Sequence, residues 1–358
     1  MPFFSDNAFT INKELESYFQ NIAKDAHLPS FEREILADVA EFTLRGGKRI
    51  RASLVYVGFK LALSERKRKQ ATSPELKKVI LDLGVAMEII QSFFLIHDDI
   101  IDKSPLRRGK PTLHTIWGAK FSNDLHIGES FGILAGNFAL VKAFEIIQKL
   151  QGIDESRKLQ ILSFMTKVIE DTLAGQTLDV MVSLKTLDET KESDIIDIMA
   201  LKTAKYTILA PIKVGAILAG ASTESLEQLT LFCIPLGLAF QISDDLLGTF
   251  GSEDKTGKSV NSDIQEGKKT IFLLHAYKNA DPVRREYFTR ILGKSDLKDS
   301  EYDSLRNLIL TGRSLEYTKK MIQRYVDEGL MALRNFHGGE EAKAWLEELA
   351  NLQVSRSS

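Results

Sequence analysis

Apolar residues recur every three or four positions along most of this chain, which is the period of a helix face and not the two-residue alternation of a strand. Between Lys13 and Leu44 the positions Leu15, Tyr18, Phe19 and Ile22, followed by Ile35, Leu36, Val39 and Phe42, predict two amphipathic helices joined around Leu28-Pro29. The polar run SERKRKQATSP, residues 64–74, predicts a surface loop, and a long helix follows from Glu75 to Asp102. Two more long helices are expected over Gly118 to Gly152 and Ser156 to Leu184, before a polar, acidic loop from Lys185 to Asp194. Lys202-Thr203 then open AKYTILAPIKVGAILAGAS, whose Ala and Gly content permits close helix packing and whose Pro211 predicts a kink. A second apolar run, FCIPLGLAFQIS, leads to Asp244-Asp245, and residues 251–270 form the longest polar stretch. Beyond His275 plain amphipathic helix resumes and ends in AWLEELANLQV. With 8 prolines in 358 residues and almost no strand signal, the reading is all-α, in a single domain spanning residues 1–358.

Composition narrows the function. The 47 Lys and Arg residues against 49 Asp and Glu give a net charge of -2, which removes the global basic excess of a nucleic-acid binder, so any anion site must be local. The sole cysteine, Cys233, excludes an intrachain disulfide and sits in an apolar run, as a core residue does. The N-terminal MPFFSDNAFTINKELESY has no basic segment ahead of a long apolar stretch, and no run is expected to reach the ~20 apolar residues of a membrane span. A soluble cytoplasmic protein with no stable membrane span is the expectation.

The chemistry concentrates in QSFFLIHDDIIDKSPLRRGKPTLH, Gln91 to His114. Asp98 and Asp102 stand one helical turn apart, with Cβ atoms ~5–6 Å from each other, and like charges so placed repel unless something neutralises them. A divalent cation does so, and an oxygen-only ligand set points to Mg²⁺ carried with waters and a substrate phosphate. Lys103, Arg107, Arg108 and Lys110 follow in a loop marked by Pro105, Gly109 and Pro111. Because guanidinium groups bind phosphate bidentately, a carboxylate face ending in an Arg-Arg loop reads as a site for a metal-chelated polyphosphate. Upstream, Arg45-Gly46-Gly47-Lys48-Arg49-Ile50-Arg51 puts two glycines followed by three cations at a helix start, which is either a second anion site or an ordinary solvated helix end. The distant Asp244-Asp245 pair offers another acidic face, and two such faces opposed across a cavity would hold one metal cluster. Gln176 and Asp179, polar inside an apolar pattern, belong to a structural network or face a wet cavity. Gly257-Lys258 and Gly267-Lys268-Lys269 make the 251–270 stretch either a linker or a lid over phosphates. On the helix wheel Phe94, Gln91 and Met87 lie beneath Asp98 and Phe93 lies at the edge, as ordinary core or as the lining for an apolar tail.

Taken in order, these residues resemble the trans-isoprenyl diphosphate synthases, the all-helical family that builds farnesyl, geranylgeranyl and longer diphosphates. GGKRIR resembles the family's GGKRLRP, HDDIID with SPLRRGKPT its first aspartate-rich motif, AGQTLD its GGQxxD, LKTAKY its KT motif, FQISDD its second aspartate-rich motif and SDIQEGKKT its SDLxEGKxT segment. Two departures stand out: Ala52 where the family usually has Pro, and Gly248 where the second motif has its last Asp. The resemblance implies an isoprenoid synthase helical bundle around a central active-site cavity, acting as a homodimer. It implies Mg²⁺-dependent condensation of isopentenyl diphosphate with dimethylallyl or geranyl diphosphate and release of pyrophosphate. Carried over by motif, Lys48, Arg51, Gln91 and Arg108 would hold the isopentenyl diphosphate. Arg107, Lys202, Thr203, Gln241, Lys258 and Lys268 would hold the allylic diphosphate. Asp98, Asp102 and Asp244 would bind Mg²⁺, three ions per site, so that Asp98, Asp102, Arg107, Lys202 and Asp244 carry catalysis. Gly248 leaves the role of Asp245 and the tightness of the third ion open.

In this family bulky residues four and five before the first Asp floor the product cavity. Here they are Phe94 and Phe93, a double aromatic that resembles farnesyl synthases and implies a C15 product, with C20 geranylgeranyl diphosphate as the alternative. A class I terpene cyclase would also carry DDxxD, and Asp245, Thr249 and Glu253 fall at cyclase-like spacing. Such an enzyme binds one diphosphate, however, and leaves GGKRIR and RRG unexplained. A noncatalytic subunit would not keep HDDIID intact, and a helical scaffold has no account of paired metal and phosphate elements.

Overall fold

A computed structural model describes residues 2–63, 72–251, 261–294 and 296–356. Helix dominates throughout: among the described residues the only strands are Leu106–Arg107 and Lys110–Pro111, two residues each, paired antiparallel with Arg107 opposite Lys110. By its internal contacts the chain falls into two compact units, Met1–Met165 with Pro211–Ser222 and Gly338–Ala342, and Thr166–Ala210 with Thr223–His337 and Lys343–Ser358.

In the first unit α1 (Pro2–Ala23), α2 (Ser30–Leu44) and α3 (Ile50–Ala62) precede the central α4 (Pro74–Ile101), and α5 (Leu113–Lys120) and α6 (Leu125–Gln148) follow it. α4 starts where the Ser73 hydroxyl accepts from the Leu76 N–H at 3.3 Å and Pro74 occupies the first turn, where its missing N–H costs nothing. Its inner faces bury Val79, Ile80, Leu83, Met87, Ile89, Ile90, Phe93 and Ile96 among α1, α2, α3, α5 and α6. α1 begins eleven residues before the predicted periodicity, with Phe4, Ile11, Leu15 and Phe19 all buried along one face. The helix expected over Gly118 to Gly152 breaks at Phe121–Asp124, where Ser122 and Asn123 take left-handed φ of 58° and 60° and Asp124 caps α6 by accepting from Ile127 N–H at 3.0 Å. The Ala and Gly stretch does permit close packing: Cβ atoms at Gly58 and Gly215 would lie 2.1 Å from Ile212 O and 2.0 Å from Val55 O, so only glycine lets α3 and α9 (Ala210–Ala219) come so near.

The second unit takes most of α7 (Glu155–Ser183), then α8 (Glu192–Ile198), a π-helical stretch Met199–Leu209, α10 (Thr223–Phe250), the short α11 (Ser262–Gln265), and α12 (Ile271–Lys278), α13 (Pro282–Ile291), α14 (Asp299–Thr311), α15 (Ser314–Asn335) and α16 (Glu340–Arg356). Its centre is α10, packed on α15 and on the π-helical stretch. Upstream of Pro211, where a kink is expected, the helix instead takes wide π-helical turns over Met199–Leu209, which carry Lys202 and Thr203, and Pro211 itself stands in the first turn of α9.

The expectation that no run reaches membrane-spanning length needs correction. Among the described residues α4, α6 and α10 are long and apolar enough by length and composition to cross a membrane. The apolar windows of α4 and α10 are 72% and 56% buried within the protein, whereas that of α6 is 33% buried and exposes Leu125, Ile133, Leu134 and Val141.

Candidate active site

In the first unit the helical turn persists through the acidic motif, since Asp102 N–H donates to Asp98 O at 2.8 Å. Asp98 and Asp102, both half-buried, therefore stay stacked on one face of α4. Asp99, rotated ~100° away, is 1% exposed and accepts from Arg107 Nε at 2.8 Å and from its Nη2. The chain reverses to bring that arginine back through a two-residue turn, Arg108-Gly109, with φ of 54° and 72°, which is the combination a tight hairpin requires. Burial alone would lower the pKa of Arg107, but the charge and hydrogen bond of Asp99, followed by the charges of Asp98 and Asp102, outweigh it and leave Arg107 raised.

Arg108 reaches the other way and donates to Gly46 O. It lies where a side chain at Gly47 would be, 3.2 Å from the position of an added Cβ, and Gly47 has a φ of 127°. The GGKRIR loop and the RRG hairpin are thus one construction, further tied by Arg45 Nη1 to Pro111 O at 2.6 Å. Loss of hydration first, followed by the charges of Arg49 and Arg107, pushes Arg108 below its ordinary value, as expected where several cations converge. Lys48 is exposed and Arg51 half-buried on this construction, and Gln91 is half-buried on α4.

Two cations of the sequence reading do other work. Lys110 pairs with Glu41 at 2.9 Å. Arg49, 4% exposed, turns inward and donates to Asn12 Oδ1 at 2.8 Å, to Glu88 Oε2 at 3.1 Å and to Thr43 O at 2.8 Å. Glu88 also accepts from Ala52 N–H at 3.3 Å in the first turn of α3. That bond exists because Ala stands at 52; a proline there has no N–H to give.

Phe94 is half-buried one turn before Asp98, and Phe93 is 5% exposed with its ring 4.8 Å from that of Phe94 and 4.8 Å, edge-on, from His97. Burial lowers the pKa of His97, against hydrogen bonds to backbone carbonyls that would raise it, so its ring is held neutral with Nδ1 2.9 Å from Phe93 O.

In the second unit the π-helical stretch sets Lys202 Nζ 2.9 Å from Asp179 Oδ2 and lets the Thr203 hydroxyl donate to Gln241 Oε1 at 2.8 Å. Gly175 makes this approach possible, because a Cβ there would sit 2.6 Å from Lys202 N. Gln241 Nε2 donates in turn to Asp245 Oδ1 at 2.8 Å, and Lys268 Nζ to the same oxygen at 2.9 Å. Asp245 is 3% exposed and Asp244, beside it, is exposed. Burial raises the pKa of Asp245 despite the opposing charge of Lys268. Loss of hydration would lower Lys268, but Asp245 and Asp263 leave it raised well above its ordinary value. The Nε2 of Gln176 is buried with no hydrogen-bond partner among the described residues, so the polar reading of that motif holds but its network is incomplete. Lys258, Gly257 and Glu253, and with them most of the expected lid, lie outside the described residues.

The donor set fits Mg²⁺. In the first unit Asp98 and Asp102 present carboxylate oxygens one helical turn apart, and in the second Asp244 presents another; oxygen donors without His or Cys are the kind Mg²⁺ takes.

Residues 33–309 match the polyprenyl synthetase family. The chain belongs to that family. It is 31% identical over 346 residues to the short chain isoprenyl diphosphate synthase of Methanocaldococcus jannaschii, covering 97% of this chain and 93% of the relative. It is 31% identical over 335 residues to the geranylgeranyl diphosphate synthase of Methanosarcina mazei, covering 93% and 94%. The crystal structure of geranylgeranyl pyrophosphate synthase from Corynebacterium glutamicum, complexed with isoprenyl diphosphate and magnesium, superposes with a TM-score of 0.85 at 29% identity over 99% of this chain and 98% of that one. This polyprenyl synthetase is an enzyme, a short-chain prenyltransferase using a divalent metal, and its fold is the all-α fold of those structures. Sequence reasoning missed Asp99 and Glu88 as the groups that aim Arg107 and shape the GGKRIR loop. The signal for Asp99 was present, since neighbours on a helix face different ways, but nothing in the sequence pairs Glu88 with residues 49 and 52.

Proposed function

We propose that this polyprenyl synthetase condenses isopentenyl diphosphate with dimethylallyl and then geranyl diphosphate and stops at farnesyl diphosphate. The observation that carries the product length is Phe94, half-buried one turn before Asp98 with the Phe93 ring against it. A tail growing along α4 from Asp98 meets these rings first, and forcing another five-carbon unit past them costs ~1–3 kcal/mol in overpacking. Lys48, Arg51, Gln91 and Arg108 bind the isopentenyl diphosphate, whose double bond is the nucleophile. Arg107, Lys202, Thr203, Gln241, Lys258 and Lys268 bind the allylic diphosphate. Asp98, Asp102 and Asp244 hold Mg²⁺, three ions per site, which when bound supplies positive charge against the departing pyrophosphate. Lys202 and Arg107 add fixed positive charge to the same leaving group, set in place beforehand by Asp179 and Asp99. The reaction needs no amino-acid nucleophile; an allylic carbocation takes the electron pair of the isopentenyl double bond, and proton loss to pyrophosphate completes the product.

Product chromatography tests the reading. The expected main product is C15, and Phe93→Ala with Phe94→Ala should lengthen it; C20 as the main product of the unchanged enzyme overturns it. The C20 reading is favoured by one observation, that Phe93 is 5% exposed and packed on His97, which leaves a single ring as the floor. We also propose a cytoplasmic homodimer, supported by the apolar outer face of α6, where Leu125 is 73% and Val141 62% exposed. Sedimentation at micromolar concentration should give twice the 40.1 kDa chain mass, and a species of 40.1 kDa alone refutes the dimer.

A further inference from the structure

The π-helical stretch Met199–Leu209 is approached closely from two sides, each time at a glycine. On α7 a Cβ at Gly175 would lie 2.6 Å from Lys202 N, and on α10 a Cβ at Gly237 would lie 2.5 Å from Ala204 Cα. Each glycine is followed one turn later, on the same helix face, by a polar partner for the stretch: Asp179 takes Lys202 and Gln241 takes Thr203. On α7 that face carries one more polar group, a turn before the glycine. Asp171, Gly175 and Asp179 follow one another at four-residue spacing, and Asp171 Oδ2 accepts from Lys205 Nζ at 2.8 Å. An ion pair thus stands on either side of the closest approach, Lys202 to Asp179 and Lys205 to Asp171.

The second pair is suited to that place. The Asp171 side chain is 17% exposed and that of Lys205 33%, so the pair is sheltered more than an ordinary surface pair. Burial would raise the pKa of Asp171, but hydrogen bonds from Lys205 and then from Lys167 outweigh it and hold the carboxyl below its ordinary value. Lys167 comes from the preceding turn of α7 itself and takes Oδ1 at 3.0 Å, which leaves Oδ2 to Lys205. π-helical winding is rare and occurs mostly at functional sites, so its register has to be fixed from outside. The glycine contacts set how near the stretch comes to α7 but not how it is turned or slid along that helix. Two carboxylates about 12 Å apart along α7 fix both.

We propose that Asp171 and Lys205 are positioning residues of the allylic diphosphate site, fixing the register of the π-helical stretch on α7 and so holding Lys202 in place. The proposal rests on the assignment of Lys202 to the allylic diphosphate. Neither Asp171 nor Lys205 touches substrate in this role; both act through Lys202. It accounts for a charged residue in the middle of LKTAKYTILAP, where the preceding Ala204 and the following Tyr206, Thr207, Ile208 and Leu209 are all buried.

The experiment is steady-state kinetics of the full-length enzyme with geranyl diphosphate and isopentenyl diphosphate varied in turn. Lys205→Met, which keeps the stem and removes the charge, should raise KM for geranyl diphosphate by about tenfold, within the scale of a misplaced group, and leave KM for isopentenyl diphosphate within about twofold. Lys205→Arg should restore most of the loss. Asp171→Asn should match Lys205→Met, and the two together should be no worse than either alone, as for partners in one interaction. Lys167→Ala removes the other cation on Asp171 without touching the stretch and should leave both KM values unchanged. An unchanged allylic KM in Lys205→Met overturns the proposal, and so do equal rises for both substrates, additive effects of Asp171→Asn and Lys205→Met, or a fall in thermal midpoint alone. Lys202→Ala separates the two levels. If it leaves the allylic KM unchanged, the assignment of Lys202 fails and the proposal with it; if it raises that KM while Lys205→Met does not, only the role of the pair is wrong. In the Lys202→Ala background Lys205→Met should have no further effect on the allylic KM, and a full tenfold rise there overturns the claim that the pair acts through Lys202.

Discussion

The two acidic motifs use the same dipeptide in the same way and are completed differently. In Asp98-Asp99 and in Asp244-Asp245 the first carboxylate keeps access to solvent while the second is buried, at 1% and 3% exposure, against a cation. Asp99 takes Arg107, and Asp245 takes Lys268 and Gln241. The ~100° step between helix neighbours imposes this division, because two adjacent residues cannot share a face. A DD pair is therefore not two carboxylates side by side but one that faces outward and one that anchors a cation. The difference lies in the third carboxylate: α4 carries Asp102, whereas α10 has Gly248 at the corresponding position.

The comparison breaks first at the outward carboxylates. Replacing Asp98 and Asp102 together by Ala should lower kcat by about a thousandfold or more, the scale of losing the main charge stabilisation of a leaving group, with helical circular dichroism unchanged. Activity within tenfold of the parent would mean that the outward carboxylates of α4 do not hold the metal.

The anchors should show in stability. Asp99→Ala strands Arg107, whose side chain is 11% exposed, so a loss of about 3 kcal/mol or more is expected by urea denaturation. Asp245→Ala should lose less, because Lys268 is 36% exposed and can rehydrate. Equal losses, or the reverse order, would show that burial of the partner cation does not set the difference.

The cations sharpen it further. Lys48→Ala should raise KM for isopentenyl diphosphate by about tenfold or more with little change for the allylic substrate, since one charge-assisted contact is worth ~1.5–3 kcal/mol. Lys202→Ala should do the reverse. Parallel effects on both substrates would sink the division into two diphosphate subsites.

The smallest effect concerns the other departure from the family pattern. Ala52→Pro removes the N–H that reaches Glu88 Oε1 at 3.3 Å, and denaturation should shift by about 1 kcal/mol or less. Proline is also preorganised for a first helical turn, which offsets part of the loss. A loss well above 2 kcal/mol would mean that the bond anchors the GGKRIR loop more firmly than its length indicates.

Periodicity alone determined the helical class, because a three-to-four repeat of apolar residues leaves no other way to bury them, and it located α4 to within a residue or two of both ends. The motif residues were legible from their order along the chain, most of them charges, amides or glycines set in otherwise apolar helix. Local breaks were legible in principle and were missed: Ser122-Asn123-Asp124 is a turn signal followed by a cap, hidden inside an apolar stretch. What only the tertiary structure decided was the use of each charge. Arg49 and Arg51 are two residues apart in one basic run, yet Arg49 turns inward to Glu88, 39 residues away. Arg107 and Arg108 are neighbours committed to Asp99 and to Gly46 respectively. A charge is satisfied by whatever lies within about 3 Å of it, and that neighbour comes from the packing of helices distant in sequence, which no spacing along the chain records.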